Sequence, residues 1–247
     1  MSLRDISFWV RSAKTDAAFE KLRATHGAEK AFNLLYTEKR DLFGSTRRGW
    51  RYQNLKYERV LSFLPRQSYR TVLDVGCGLG PFTRQLSPYA DDILGVDFSS
   101  AAVEQARKLS ISQPNVRFEQ QDIHNIGQIG RRFDLITVLD VLYYLSPLSD
   151  EVLESVARQL EGLLEPGGVI LLVNHYFFGI DPQSRQTRRI HDRFQHATSM
   201  RVLTEHRRSF FLTTVFTNVR PVATFQPAYL LIGGLLNEAC SWAGAVC

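Results

Sequence analysis

The sequence predicts an α/β protein with a doubly wound, mostly parallel sheet of seven strands. Two observations lead to this fold class. From Thr71 to Val173, short β-branched runs alternate with amphipathic stretches, which is the pattern of parallel strands joined by crossover helices. The chain of 247 residues, with 44% hydrophobic side chains, is also long enough to bury the core of one such domain.

Five strands and three connecting helices follow from this pattern. The predicted strands are apolar throughout, as expected where helices cover both faces of a sheet: 71–75, 93–96, 116–119, 135–139 and 169–173. Helices are predicted over 82–86, 100–109 and 150–164, with Ser99 or Ser100 as the N-cap of the second. The third helix is expected to stop at Glu165-Pro166-Gly167-Gly168, a turn that leads into the fifth strand.

The flanking segments define the predicted domain organisation. Residues 1–69 are expected to form a helical, aromatic-rich lid segment, residues 70–217 the sheet domain, and residues 218–247 a C-terminal extension. Residues 200–216 alternate like an antiparallel strand pair, which completes the seven strands. In the extension, a short apolar run at 228–236 is broken by two glycines, which favours core or interface packing over membrane attachment.

Composition and charge exclude several classes of protein. No apolar run reaches the 18 residues of a membrane span, and the N-terminus lacks the features of a signal peptide, so we expect a cytoplasmic protein without a membrane partner. The 3 cysteines are widely separated, which predicts neither disulfides nor a metal site. The net charge of +5 is modest. Arginines recurring between 185 and 193 form either a solvated helix face or a surface for an anionic acceptor.

The strongest motif follows the first predicted strand. Asp74 is followed by Gly76, Gly78 and Gly80, whose missing side chains allow a sharp turn and a close approach of the backbone to a ligand. Asp97 ends the second strand, where a carboxylate can accept both hydroxyls of a ribose. A dinucleotide site favours the spacing G-x-G-x-x-G, because a pyrophosphate must lie at the helix N-terminus. The G-x-G-x-G spacing found here therefore favours an adenosine ligand without that group.

These motifs, in this order, resemble the class I S-adenosylmethionine-dependent methyltransferase family, which has a Rossmann-like fold. The matching segments are Asp74 to Gly80, Asp97, Gln121-Asp122-Ile123, Phe133 to Ile136 and Leu164 to Gly168. The resemblance implies S-adenosyl-L-methionine as the cofactor. It also implies that the three glycines contact the methionine part and Asp97 the ribose.

The same resemblance assigns the remaining cofactor contacts. Phe98 is expected to pack on adenine. The Asp122 carboxylate is expected to accept a hydrogen bond from the exocyclic amine of adenine, with the Ile123 backbone nearby, and Leu139 is also expected to contact the cofactor. Asp74 either organises the glycine loop or meets the cofactor's ammonium group through water, and a purely structural role is an equal alternative.

The catalytic residues are expected at the rim of the fourth and fifth strands, because ligands bind outside the carboxyl ends of parallel strands. Methyl transfer from a sulfonium is a direct displacement, so positioning can replace a nucleophilic residue. His175 is the candidate general base, with a structural histidine as the alternative. Tyr143 and Tyr144 are candidate catalytic residues that shape the acceptor pocket or bond the nucleophile, with ordinary packing of at least one of them as the alternative. Asp140 either attracts a cationic amine or caps the following helix.

The chemistry also requires that water be excluded from the reacting methyl group. Trp50, Tyr52 and Tyr57 of the N-terminal segment are expected to cover the cofactor and form one wall of the acceptor pocket. The alternative is that these aromatic residues are the apolar face of a helix packed on the sheet.

The acceptor is predicted to be a small molecule. The fourth-strand rim lacks the Asn- or Asp-Pro-Pro-Tyr sequence of enzymes that methylate bases, and no nucleic-acid module is visible, so no nucleic-acid partner is expected. The segments 50–52, 56–59 and 141–145 resemble the nodulation protein S type of N-methyltransferases, which act on a sugar amine. We therefore predict methyl transfer to nitrogen or oxygen of a small molecule, with a sugar amine as one candidate. A methyltransferase acting on protein or RNA and a non-catalytic adenosyl-binding protein are the alternatives, and the sequence defines no oligomeric state.

Overall fold

A computed structural model describes residues 3–39, 51–145, 147–177, 179–208 and 210–219. Trp50 and nearly all of the predicted extension at 218–247 lie outside the described residues. Within the described part of the chain, no helix combines the length and the apolar character needed to cross a bilayer.

Helices and strands alternate along the central part of the chain. The helices are α1 (Leu3–His26), α2 (Ala28–Lys39), α3 (Arg51–Leu61), α4 (Pro81–Leu86), α5 (Ser100–Leu109), α6 (Asp150–Gly162) and α7 (Pro182–Ala197). The strands are β1 (Tyr69–Val75), β2 (Ala90–Asp97), β3 (Val116–Gln120), β4 (Phe133–Leu139), β5 (Leu164–Tyr176), β6 (Arg201–Arg208) and β7 (Phe210–Thr217). Short 3₁₀ helices cover Ser87–Tyr89, Ile123–Ile129 and Leu142–Tyr144.

These strands form one seven-stranded sheet in the order β3-β2-β1-β4-β5-β7-β6. The first five strands along the chain are parallel, whereas β7 runs antiparallel to both β5 and β6. The predicted doubly wound, mostly parallel sheet is therefore confirmed. The strand order reverses between β1 and β4, which is where open α/β sheets bind their ligands.

The fifth strand differs from its prediction. It begins at Leu164, before the predicted turn, and its register with β4 shifts between Phe133 and Leu135. Leu164 pairs with Phe133 ahead of the irregularity, so the turn residues lie within a bulged strand and α6 ends earlier, at Gly162. Ser99 is the N-cap of α5, because its side chain accepts a hydrogen bond from the Ala102 amide.

The N-terminal helices α1 and α2 pack on the loops at the carboxyl end of the sheet. Phe19, Phe32 and Tyr36 form an apolar cluster with Leu79 of the glycine loop. Oδ1 of Asn33 accepts hydrogen bonds from the Ser99 hydroxyl at 2.6 Å and the Ala101 amide at 3.3 Å. These contacts hold α2 against the start of α5, directly beside the end of β2.

Candidate active site

The carboxyl ends of β1, β2, β4 and β5 border one cavity. Its lining combines loop backbone, aromatic side chains and a small polar group: Phe32, Tyr36, Gln53, Tyr57, Gly76, Cys77, Gly78, Leu79, Pro81, Asp97, Phe98, Leu139, Asp140, Val141, Tyr143, Tyr144 and His175. Most of the residues predicted for the cofactor and the acceptor therefore surround the same space.

The glycine loop has a backbone that requires glycine. Gly76, Gly78 and Gly80 have φ values of 69°, 53° and 70°, all in the left-handed region. A Cβ atom at Gly76 would lie 2.2 Å from a methyl group of Val141, and one at Gly78 would lie 2.9 Å from Oη of Tyr36. Gly76 and Gly78 line the cavity, whereas Gly80 allows Phe118 to pack closely, with 2.5 Å between its ring and an added Cβ.

Asp97 lies at the tip of β2, buried beside the loop. Its Oδ2 accepts a hydrogen bond from the Gly78 amide at 2.9 Å, and its Oδ1 accepts one from the Ser99 amide at 2.9 Å. Burial raises the pKa of Asp97 to about 6, although both amides oppose the shift. A carboxylate has about four lone-pair sites, so both oxygens keep capacity for ligand hydroxyls.

Asp74 has a different environment. It is buried, does not line the cavity, and accepts hydrogen bonds of 2.6 Å from the hydroxyls of Thr83 and Thr137. Burial raises the pKa of Asp74 to about 6. These bonds connect β1 to α4 and β4, so the contacts support the role of organising the glycine loop.

The residues predicted for adenine divide into two groups. Phe98 lines the cavity, and its ring meets Phe32 of α2 edge-on at a centroid distance of 5.1 Å. Asp122 and Ile123 do not line the cavity. The Asp122 carboxylate accepts a hydrogen bond from the His124 amide at 2.9 Å and lies 2.8 Å from the ring Nδ1 of His124. Ile123 packs on the apolar core.

The acceptor end of the cavity is aromatic. Leu139, the last residue of β4, lines it together with Tyr143 and Tyr144 from the following 3₁₀ helix. Tyr144 donates a hydrogen bond of 2.7 Å to Asp16 of α1. This bond connects the N-terminal helices to the rim of β4.

His175, near the end of β5, lies between a hydroxyl and a carboxylate. Its Nδ1 is 3.2 Å from Oη of Tyr143, and its Nε2 is 3.8 Å from Oδ1 of Asp140. The other oxygen of Asp140 forms an ion pair with Lys56 of α3. Burial lowers the pKa of His175 to about 4, with Asp140 opposing the shift, so the imidazole is neutral at pH 7.

Of the residues expected to form the lid, Tyr57 lines the cavity and Tyr52 does not. Tyr57 lines the cavity and also packs in the core against Phe82, with ring centroids 5.2 Å apart. Tyr52 contacts Phe210 at the tip of the β6–β7 hairpin, with ring centroids 6.0 Å apart. Phe32 and Tyr36 of α2, which belong to the same predicted lid segment but were not singled out in it, also lie over the glycine loop.

Lys56 and Asn33 were also missed as site residues. Lys56 lies four residues after Tyr52 and four before Val60, so it interrupts an apolar stripe of α3 at helical spacing. A lysine within an apolar helix stripe indicates a buried charge, so the sequence contains a signal that could have identified Lys56. Asn33 carries no comparable signal, because its partners on α5 are distant in the sequence.

The cavity fits an adenosyl cofactor. Gly76 and Gly78 bring backbone without Cβ atoms to the cavity wall, and Asp97 offers unused acceptor capacity beside them. Gly76, Gly78, Asp97 and Phe98 are the residues that would hold the ligand.

Comparisons with known proteins agree with this arrangement. Residues 72–168 match the model of a methyltransferase domain family. Nodulation protein S from Rhizobium tropici is 27% identical over 136 residues, which cover 53% of this chain and 53% of that protein. A ubiquinone biosynthesis O-methyltransferase from Coxiella burnetii is 32% identical over 98 residues, covering 39% of this chain and 40% of that protein. The chain thus spans about half the length, or less, of these curated relatives.

A solved structure supports the fold. The N-methyltransferase NodS from Bradyrhizobium japonicum WM9, in complex with S-adenosyl-l-homocysteine, superimposes with a TM-score of 0.61 at 19% identity. The match covers 76% of this chain and all of that one. Residues 72–168 are therefore similar to a methyltransferase domain, and the sheet has the fold of a solved N-methyltransferase.

Proposed function

We propose that this protein transfers a methyl group from S-adenosylmethionine to a nitrogen or oxygen atom of a small molecule. The continuity of the cavity carries the proposal. The glycine loop and Asp97 line it at β1 and β2, while Tyr143 and His175 line it at β4 and β5. A cofactor held at the first pair of strands would therefore share one cavity with an acceptor held at the second.

The cofactor contacts follow from the loop geometry. The backbone at Gly76 and Gly78 allows close contact with the methionine part, Asp97 accepts the ribose hydroxyls, and Phe98 packs on adenine. When bound, S-adenosylmethionine supplies a methyl group on a positively charged sulfur. The chain's own task is to align the acceptor and exclude water, which together can supply a large share of the rate.

The helices α1 and α2 are proposed as the lid. Tyr36 lies over Gly78, and Tyr144 is bonded to Asp16 of α1 at 2.7 Å. Asn33 adds the connection to α5 through Ser99 at 2.6 Å. A lid held at both the cofactor and the acceptor side leaves a partly covered pocket, which supports a small acceptor over a macromolecule.

Charge on the surface supports the same choice. A polyanionic macromolecule would need a broad basic surface near the site. Three of the four arginines of α7 are engaged with acidic side chains: Arg188 with Glu205, and Arg189 and Arg193 with Asp150. These contacts support the interpretation of this helix face as a solvated, ion-paired surface.

His175 is the proposed proton acceptor. The neutral imidazole can take the proton that the acceptor loses through Tyr143, whose hydroxyl passes its own proton to Nδ1 as it receives the acceptor's, and the Asp140 carboxylate lies on the other side of the ring. A pKa of about 4 makes His175 a weak base, so we assign it a smaller share of the rate than positioning. Tyr143 would orient the acceptor through its hydroxyl.

The candidate acceptor is a sugar amine, on the strength of the local resemblance of residues 56–59 and 141–145. The test is mass spectrometry of glucosamine, short glucosamine oligomers, simple amines and phenols after incubation with methyl-labelled S-adenosylmethionine. We expect one added methyl group on a small acceptor, and a strongly reduced rate for His175→Gln. Binding of S-adenosylhomocysteine without transfer to any acceptor would indicate a non-catalytic protein, and label appearing only on added protein or RNA would overturn the small-molecule assignment.

A further inference from the structure

A buried lysine lies beside the acceptor end of the cavity. Lys56 is 2% exposed, and its ammonium group forms an ion pair with Oδ2 of Asp140. Its Nζ also lies 5.7 Å from the ring centroid of Phe211. Replacing a buried ion pair with well-packed apolar side chains is often neutral or stabilising. Fold stability alone therefore does not account for a charge at this position.

The backbone of Asp140 has a conformation that few side chains adopt. Its φ is 56°, in the left-handed region, and its amide donates a hydrogen bond to the Val173 carbonyl of β5 at 2.9 Å. Such conformations cluster at functional sites, where the surrounding contacts impose them. In this conformation Oδ2 meets Lys56, while Oδ1 is buried and lies 3.8 Å from Nε2 of His175, whose backbone amide also faces the carboxylate.

The contact with Tyr143 selects the tautomer of His175. Burial raises the pKa of Tyr143 well above its ordinary value, so the hydroxyl keeps its proton and can donate it to Nδ1 across 3.2 Å. Nε2 then carries the ring proton on the side of Asp140. The opposite tautomer would set a nitrogen lone pair against the carboxylate.

The charged groups around His175 come from three elements. Lys56 belongs to α3, Asp140 follows β4, and Asp16 of α1 lies behind Tyr144, to which it is bonded at 2.7 Å. The uncharged neighbours are Tyr143 and Tyr144 of the 3₁₀ helix, Phe177 after β5, Phe211 of β7, and Thr187 of α7, whose hydroxyl donates to the His175 carbonyl at 2.6 Å. Among the described residues, Lys56 is the cation that forms an ion pair with Asp140 beside His175.

We propose that Lys56 is a positioning residue that keeps His175 neutral by holding and neutralising Asp140. Without the ammonium group, the carboxylate would draw a proton onto the imidazole. The resulting imidazolium could not accept a proton, and it would repel a positively charged sulfur. The consequence for catalysis rests on the proposed function, whereas the effect on the protonation of His175 does not.

The test is a titration of the histidine ring resonances by NMR in the intact chain. The His175 signals are assigned by their absence in His175→Gln. In the wild type, we expect His175 to stay neutral down to about pH 5. In Lys56→Met, which keeps most of the side chain's length without its charge, we expect the midpoint to rise by at least about one pH unit, because Asp140 is then an uncompensated opposite charge beside the ring, and such a charge shifts a pKa by this order.

Two further variants serve as controls. Lys56→Gln keeps a hydrogen-bond donor for Asp140 without the charge, so it should show the same rise if Lys56→Met does not fold. Arg59→Gln removes an exposed cation from the same helix and should leave the midpoint unchanged. An unchanged midpoint in folded Lys56→Met or Lys56→Gln would overturn the proposal, as would the failure of both variants to fold.

Activity separates this inference from the proposed function. If an acceptor is methylated, the acid limb of the kcat profile should move upward with the His175 midpoint in Lys56→Met. A shifted titration without any methylated acceptor would support the role of Lys56 and count against methyl transfer. Methylation of an acceptor with an unchanged His175 midpoint in Lys56→Met would support methyl transfer and count against the role of Lys56.

Discussion

Substitution of Gly78 by alanine tests the glycine loop at the point of closest approach. Gly78 has φ +53°, and an added Cβ would lie 2.9 Å from Oη of Tyr36. A left-handed backbone costs a residue with a side chain about 1–2 kcal/mol. The crowding in the cavity adds about 1–3 kcal/mol against a bound ligand, by analogy with overpacked cores. We therefore expect a lower stability together with an affinity for S-adenosylhomocysteine reduced roughly 5- to 150-fold.

Gly130→Ala is the matched control for the backbone strain. Gly130 has φ +68°, and its added Cβ would meet only the Gln128 carbonyl at an ordinary 3.6 Å. It should lose the stability that the strain alone costs, seen as a melting temperature lower by roughly 2–8 °C, with unchanged affinity. Calorimetric titration and thermal unfolding of both variants provide the two readouts. Equal, wild-type affinity in both variants would refute the placement of the cofactor on this loop.

Three further predictions concern protons. Because the pKa of Asp97 is about 6, affinity for S-adenosylhomocysteine should rise as the pH increases through 6 and then level off, and calorimetry of Asp97→Asn should show this dependence lost. His175→Gln should lower kcat by about 100-fold in steady-state assays with cofactor affinity unchanged, whereas equal kcat would exclude His175 as the base. His191, buried against Thr214 and Asn174, has a pKa lowered to about 3 by burial, so below pH 6.5 the unfolded chain binds a proton that the folded chain does not. Denaturant unfolding should therefore show that the wild type loses about 2 kcal/mol more free energy of unfolding than His191→Gln between pH 6.5 and 5. If the free energies of unfolding of the two proteins fall equally with pH, His191 is not held neutral by the fold.

The sheet and the glycine loop could be predicted because their signals are local. Apolar runs of strand length, the spacing of three glycines and the Ser99 cap each depend on residues close together in the sequence. The start of β5 could not be placed in this way. Its bulge arises from pairing with Phe133 across the sheet, which no local pattern encodes.

The site was predictable where it follows strand ends. Asp97, Leu139 and His175 line the cavity because parallel strands end at the same edge of the sheet. Tyr36 was not singled out within the predicted N-terminal lid segment, since its contact with the glycine loop depends on how α2 packs. The partner of Asp140 was missed for the same reason: Lys56 is 84 residues away in the sequence.

The central claim is that this cavity binds the adenosyl cofactor through Asp97. Calorimetric titration of S-adenosylhomocysteine into the wild type and Asp97→Ala at pH 7.5 tests it most directly. We predict one molecule bound per chain, with affinity weakened by about 1–3 kcal/mol in the variant, because the charged acceptor of two hydroxyl donors is lost. A wild type that does not bind, or a variant of equal affinity, would contradict the claim.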